Sequence, residues 1–175
     1  MAFLRNMKDG LYEFSDVVGC LEKPFKSEKD FCDYIELNIE LFCNDILGVS
    51  YLSHKREYIV HGGHTRVNGV AHKIKGTRKI DFVIKSIDGQ IIGVECKDPF
   101  FESELINGIG QILSYLAFME LNEKPANRII LLSTSIHPMI PHIIRRFSLP
   151  IEYIVMDKNK SLTWRADLQN IPNQS

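Results

Sequence analysis

The chain has 175 residues, 45% of them hydrophobic and 25% charged, which suits one soluble domain with a single core and leaves no surplus for a second. Its formal net charge of −1 excludes a global basic field, so any surface for a polyanion must come from local clustering. Cys20, Cys32, Cys43 and Cys96 form no CxxC pair and fit neither a zinc knuckle nor a small secreted disulfide framework, which points to reduced, intracellular thiols.

Residues 1–23 read as an N-terminal arm of short apolar pieces between Gly10 and Gly19. MAFLRNMKDG lacks the apolar region of a signal peptide. No apolar run approaches the roughly 20 residues needed to span a bilayer. A cytoplasmic protein without a membrane partner is expected. The domain is expected to occupy 1–175, with its core at about 27–156 and a polar tail at 167–175.

Ser27 with Asp30 is a capping arrangement that predicts a helix from about Glu28 to Cys43, its apolar face carried by Phe31, Tyr34, Ile35, Ile39 and Phe42. YLSHKREYIV at 51–60 predicts an edge or hairpin strand running into the Gly turn of HGGH. From Lys55 to Lys79 the chain carries Lys55, Arg56, Arg66, Lys73, Lys75, Arg78 and Lys79 against the single acid Glu57. The charge pattern predicts a basic loop suited to tracking phosphates. His61, His64 and His72 within it lack a fourth ligand at metal-site spacing, so no zinc site is expected there.

Ile80–Ile84 and Ile91–Cys96 predict a strand pair around the Asp88-Gly89 turn. Pro99 ends the second strand. Ile109, Ile112, Leu113, Leu116 and Met119 then define the stripe of a helix ending near Leu121. RIILLS at 128–133 reads as a strand buried on both faces, in the middle of a sheet. A short helix at 137–147, a strand at 151–156 and a last short strand near Leu162–Trp164 complete the order helix, three strands, helix, strand, helix, strand. That order predicts an α/β fold with a mixed central sheet flanked by helices.

The chemistry gathers between Thr77 and Tyr115. Strand alternation puts Glu95 and Lys97 on one face, and a suitable register brings Asp81 beside Glu95. Two carboxylates in so small a space repel unless a cation neutralises them, and oxygen ligands suit Mg2+ or Mn2+. Lys97 can stabilise a phosphoryl transition state or orient water, and Gln111 and Tyr115, one helical turn apart, can bond a phosphate. The Asp-Glu-x-Lys spacing alone is common by chance. Its placement inside apolar strands makes unpartnered charge costly and sharpens the reading. Phe100 and Phe101, just past Lys97, can stack a base or pack under the helix.

Ile80-Asp81-Phe82, Gly93-Val94-Glu95-Cys96-Lys97 and Gln111-Ile112-Leu113-Ser114-Tyr115 together resemble the PD-(D/E)xK nuclease superfamily, including its RecB-like branch with a QxxxY helix. Ser27-Glu28-Lys29-Asp30-Phe31 is similar to that superfamily's first-helix Glu segment. The match covers about residues 27–134. The Asp81 to Glu95 spacing is similar to that of archaeal mismatch endonucleases and Holliday-junction resolvases of this fold.

The resemblance implies a restriction-endonuclease-like fold. It implies Asp81, Glu95 and the Cys96 backbone carbonyl as metal ligands, Lys97 as the catalytic lysine, and Glu28 as accessory carboxylate and ligand, with Glu36 a competitor for that place. Ile80 stands where the strict motif has Pro. The four-cysteine pattern of iron-sulfur RecB-like exonucleases is missing, so no iron-sulfur cluster is expected, and there is no counterpart of the separate DNA-binding domain of the mismatch endonucleases. The expected activity is a divalent-metal-dependent endonuclease acting on DNA rather than RNA, in repair, defence or a mobile element, and acting as a homodimer on duplex. The alternative is a non-cleaving nucleic-acid-binding or assembly subunit that keeps the fold.

Overall fold

The Ser27 hydroxyl opens the first helix by accepting a hydrogen bond from the Asp30 N–H at 3.1 Å, as the sequence predicts. A computed structural model of the chain describes residues 25–99, 101–122, 125–135, 137–156 and 162–166. The predicted N-terminal arm (1–23) and polar tail (167–175) lie outside the described residues. Helix α1 (Glu28–Leu37) buries Phe31, Cys32 and Ile35 on one stripe. Enclosing a side chain the size of Phe31 contributes roughly 2–3 kcal/mol.

The helix does not continue unbroken to Cys43. Asn38 caps α1 and its side-chain amide donates to the Tyr34 carbonyl at 2.8 Å. The chain then turns through α2 (Ile39–Leu41) and a π-helical segment (Phe42–Leu47), which Gly48 closes at φ 66°.

β1 (Tyr51–His61) takes the predicted edge position. The stretch after it is not a loop. β2 (His64–Val67) and β3 (Val70–Lys73) pair antiparallel as a two-stranded sheet of their own, so five strands rather than three precede the next long helix. Asn68-Gly69 makes the hairpin, with φ of 50° and 79°, and Asn-Gly is the favoured pair for such a turn. At the root of this arm Gly62 is required for space, since a Cβ there would lie 2.1 Å from the Ile74 carbonyl oxygen.

β4 (Thr77–Ser86) and β5 (Ile91–Lys97) form the predicted hairpin. They are followed by α3 (Glu102–Leu121), β6 (Arg128–Ser133), α4 (Met139–Arg146), β7 (Glu152–Met156) and β8 (Leu162–Ala166). The main sheet has six strands in the order β1-β4-β5-β6-β7-β8. The β5/β6 and β6/β7 pairs are parallel and the others antiparallel, and β6 is central as RIILLS predicts.

One face packs Phe82, Ile84, Val94, Cys96 and Leu132 against α1 and the π-helical segment. The other packs Ile80, Val83, Ile129, Leu131 and Tyr153 against α3 and α4. The fold is the predicted α/β class, a mixed central sheet flanked by helices, consistent with a restriction-endonuclease-like fold. No helix among the described residues is long and apolar enough to cross a membrane.

Candidate metal centre

The site is built where β4 and β5 part. Their ladder runs from Lys85↔Ile91 to Phe82↔Val94 and stops there. Asp81 and Glu95, which the sequence reading expects side by side, lie one residue beyond the last pair. The pairing of β4 with β1 also omits Asp81, passing from Phe82 (with Arg56) to Ile80 (with Tyr58). An unbroken strand would present Ile80 and Phe82 on the same face. Here Ile80 belongs to the core under α3 and Phe82 to the core under α1, so the strand turns over at Asp81. Across from it Glu57 takes φ 50°, a left-handed conformation that strains a non-glycine residue. Freed from both ladders, Asp81 uses its Oδ2 to accept the Cys96 N–H at 2.8 Å.

Glu95 and Lys97 sit on the α3 face of β5, separated from Cys96 by strand alternation. Glu95 is 2% exposed. Its Oε1 lies 2.8 Å from the Lys97 ammonium, which also donates to Glu28 Oε1 at 3.2 Å. Tyr115 of α3 is hydrogen-bonded to Glu95. Gly108 gives the lysine stem room: a Cβ there would come within 3.3 Å of Lys97 Cε. Glu28, Asp81, Glu95, Lys97 and Tyr115 are therefore brought together. Gln111, one turn before Tyr115, is exposed to solvent.

Between the two candidates for the accessory carboxylate the geometry distinguishes clearly. Glu28 faces Lys97, whereas Glu36 is held by Arg56 at 2.6 Å and by His54 at 3.4 Å. Arg56, counted in the basic stretch, also pairs with Asp33 at 2.5 Å and lies over the Phe82 ring. Its charge is spent on α1. Lys79 pairs with Glu57 at 2.8 Å. Lys55, Arg66, Lys73, Lys75 and Arg78 are exposed. Phe101 is 69% exposed, while Phe100 lies outside the described residues.

The electrostatics are unbalanced. Burial, reinforced by the neighbouring Asp81 charge, pushes Glu95 up to about 7 in spite of Lys97 and Tyr115. Burial also raises Asp81, against the Cys96 N–H, and raises Glu28 against Lys97. Burial opposes the charge on Lys97, but Glu95, Glu28 and Asp81 outweigh it and hold the ammonium's pKa above its ordinary value. Three carboxylates thus face one ammonium. Glu95 Oε2 is buried without a hydrogen-bond partner among the described residues. A buried carboxylate oxygen left bare costs on the order of 1–3 kcal/mol or more, and a divalent cation is the partner an all-oxygen donor set accepts. Among the described residues, the group whose ligand atoms all lie within 4.8 Å of one another is Cys32, Asp81 and Cys96 rather than the three carboxylates, so an ion on the oxygen side would have to draw those carboxylates together.

Two features escape sequence reasoning. Cys32, one turn after Glu28 on α1, brings its sulfur together with the Cys96 sulfur and an Asp81 oxygen, all within 4.8 Å of one another, a group able to hold a metal. Asp98 is buried directly after Lys97 and accepts the Thr134 hydroxyl at 2.6 Å. The i to i+4 step from Glu28 is the only sequence signal for Cys32, and it carries weight only once Cys96 is known to point at α1. An open cleft of about 530 Å3, lined by Glu28, Lys29, Cys32, Asp33, Arg56, Glu57 and Asp81, leads to this point.

Against known proteins, no protein-family model matches the chain. No curated protein matches it either. Among solved structures it is similar to a repair endonuclease from Pyrococcus abyssi, at 16% identity and a TM-score of 0.49, over 77% of this chain and 48% of that one. The chain spans about half the length of that structure.

Proposed function

We propose that the chain is a single-domain, divalent-metal-dependent nuclease that hydrolyses DNA phosphodiester bonds, an endonuclease of repair, defence or mobile-element type. The observation that carries this reading is the buried Oε2 of Glu95, without a partner among the described residues and beside Asp81 and Lys97, an arrangement that costs stability unless it serves a cation. Glu28, Asp81, Glu95 and the Cys96 carbonyl would hold Mg2+ or Mn2+. When bound, the ion supplies charge neutralisation and Lewis-acid polarisation of the scissile phosphate.

The protein's own groups do the rest. Lys97 stays protonated, and with two donors turned to Glu95 and Glu28 it keeps one for a phosphate oxygen or the attacking water. Tyr115 fixes the orientation of Glu95. Gln111, exposed to solvent, would meet substrate rather than metal. Arg66, Lys73, Lys75, Arg78 and Lys55 supply the phosphate contacts that bring DNA to the cleft, while Arg56 organises its wall.

The test is cleavage of single-stranded, duplex, branched and mismatched DNA, and of RNA, with Mg2+ or Mn2+. Cutting that disappears in Asp81→Ala and Lys97→Ala is expected. A pure protein that binds but cuts none of these would replace the nuclease with the non-cleaving reading. We infer a homodimer on duplex, which sedimentation showing only monomer with and without DNA would defeat.

A further inference from the structure

Asp81 stands between two donor sets of different chemistry. On one side are the oxygens of Glu95 and Glu28. On the other are two thiols, Cys32 on α1 and Cys96 on β5, both free and buried, with their sulfurs and an Asp81 oxygen all within 4.8 Å of one another.

A hard ion such as Mg2+ takes the oxygen side. Two sulfurs out of three donors select a soft or borderline ion. Tetrahedral Zn2+, with Zn–S distances of about 2.3 Å, holds its ligand atoms roughly 4 Å apart, which donors already within 4.8 Å of one another reach by at most a small movement of side chains. Cys32 and Asp81 both line the cleft, so the ion has an entry path.

We propose that Cys32, Cys96 and Asp81 form an inhibitory site for a thiophilic divalent cation of the Zn2+ type, which competes with Mg2+ or Mn2+ for Asp81. Binding forms two metal–thiolate bonds and one metal–carboxylate bond, and each thiol passes its proton to solvent; no electrons are transferred. The carboxylate then faces the sulfurs and carries a second dication beside it, so the oxygen-lined position loses both a ligand and its negative field. The site stands on its geometry, whereas its effect on cutting rests on the nuclease reading.

The experiment uses the reduced, metal-free full chain. Added Co2+ is expected to give the thiolate-to-metal charge-transfer absorption of a tetrahedral sulfur site, bleached by Zn2+, and X-ray absorption of the Zn2+-loaded protein is expected to show two sulfurs at about 2.3 Å. Cys32→Ala should weaken Zn2+ binding at least ~100-fold, beyond the loss caused by removing an outer partner. In Mg2+, Zn2+ should suppress cutting by the parent chain and not by Cys32→Ala.

A Zn2+ environment of oxygen and nitrogen only, a Co2+ signal unchanged in Cys32→Ala, or cutting stimulated by Zn2+ would each overturn the proposal. The X-ray absorption measurement needs no variant. Because the spectra need no DNA, a two-sulfur site on a chain that never cuts would support this inference while removing the nuclease reading.

Discussion

The parallel strands carry a part-buried acid–base group at each end, and the two are built on opposite principles. At the amino end of β6 and β7 the Arg128 guanidinium grips both oxygens of Glu152 at 2.6 and 2.8 Å and gives a third hydrogen bond to the Leu47 carbonyl at 3.0 Å. Cation and anion meet in fork geometry, with a further donor used on the backbone. At the carboxyl end of β5 one ammonium faces three carboxylates, and one of their oxygens is buried without a partner among the described residues. The first arrangement is complete as it stands and serves the fold. The second leaves a buried carboxylate oxygen that a cation would satisfy, and the proposed function rests on that difference.

Substitutions at the two ends should separate these roles. Lys97→Ala is expected to lower the cleavage rate by about 10²–10³-fold, the size of losing one transition-state donor, with a folded circular dichroism spectrum. Retained cutting would break the comparison at its functional end. Arg128→Ala should do the reverse: it leaves Glu152 without its fork, costs about 2 kcal/mol, and lowers Tm by roughly 4–8 °C, while kcat of the folded protein stays within about twofold. A fall in kcat with no change in Tm would show that the amino end is no mere clamp.

Smaller effects sharpen the boundary of the site. Glu28→Gln is expected to cost about 10–100-fold in cutting or in Mn2+ affinity, and Glu36→Gln about twofold at most, because Glu28 faces Lys97 whereas Glu36 is held by Arg56. Equal losses would mean that the wall held by Arg56 takes part. Replacing Arg66, Lys73 and Lys75 together by Ala should weaken DNA binding at every sequence and flatten the slope of log K against log salt by about 0.9 for each phosphate that is no longer neutralised. An unchanged slope would remove the arm from the interface. Tyr115→Phe, which deletes one hydrogen bond to Glu95, should be the mildest, about 1 kcal/mol in stability and a few-fold in rate.

What could be read in advance follows from the range of the interactions. Ser27 and Asp30, the Asp88-Gly89 turn, and the alternation that pairs Glu95 with Lys97 are local, spanning a few residues, and they appear as expected. The Asn68-Gly69 hairpin is equally local, flanked by Val67 and Val70, but a charge count over the same stretch hides it. The capture of Arg56 by Asp33 and Glu36 spans about twenty residues and depends on how α1 lies against β1. The choice of Glu28 over Glu36 follows from the same placement.

The sequence by itself determined the α/β class, the order of most elements, and the residue types that meet at the end of the β4–β5 hairpin, because strand alternation, helical stripes and turn chemistry act between near neighbours. The tertiary structure alone decided three things. It turned β4 over at Asp81, it left Glu95 Oε2 without a partner among the described residues, and it brought Cys32 of α1 against Cys96 of β5. Each depends on how a helix seats on the sheet, where shape and burial choose among residues that the chain order leaves equivalent.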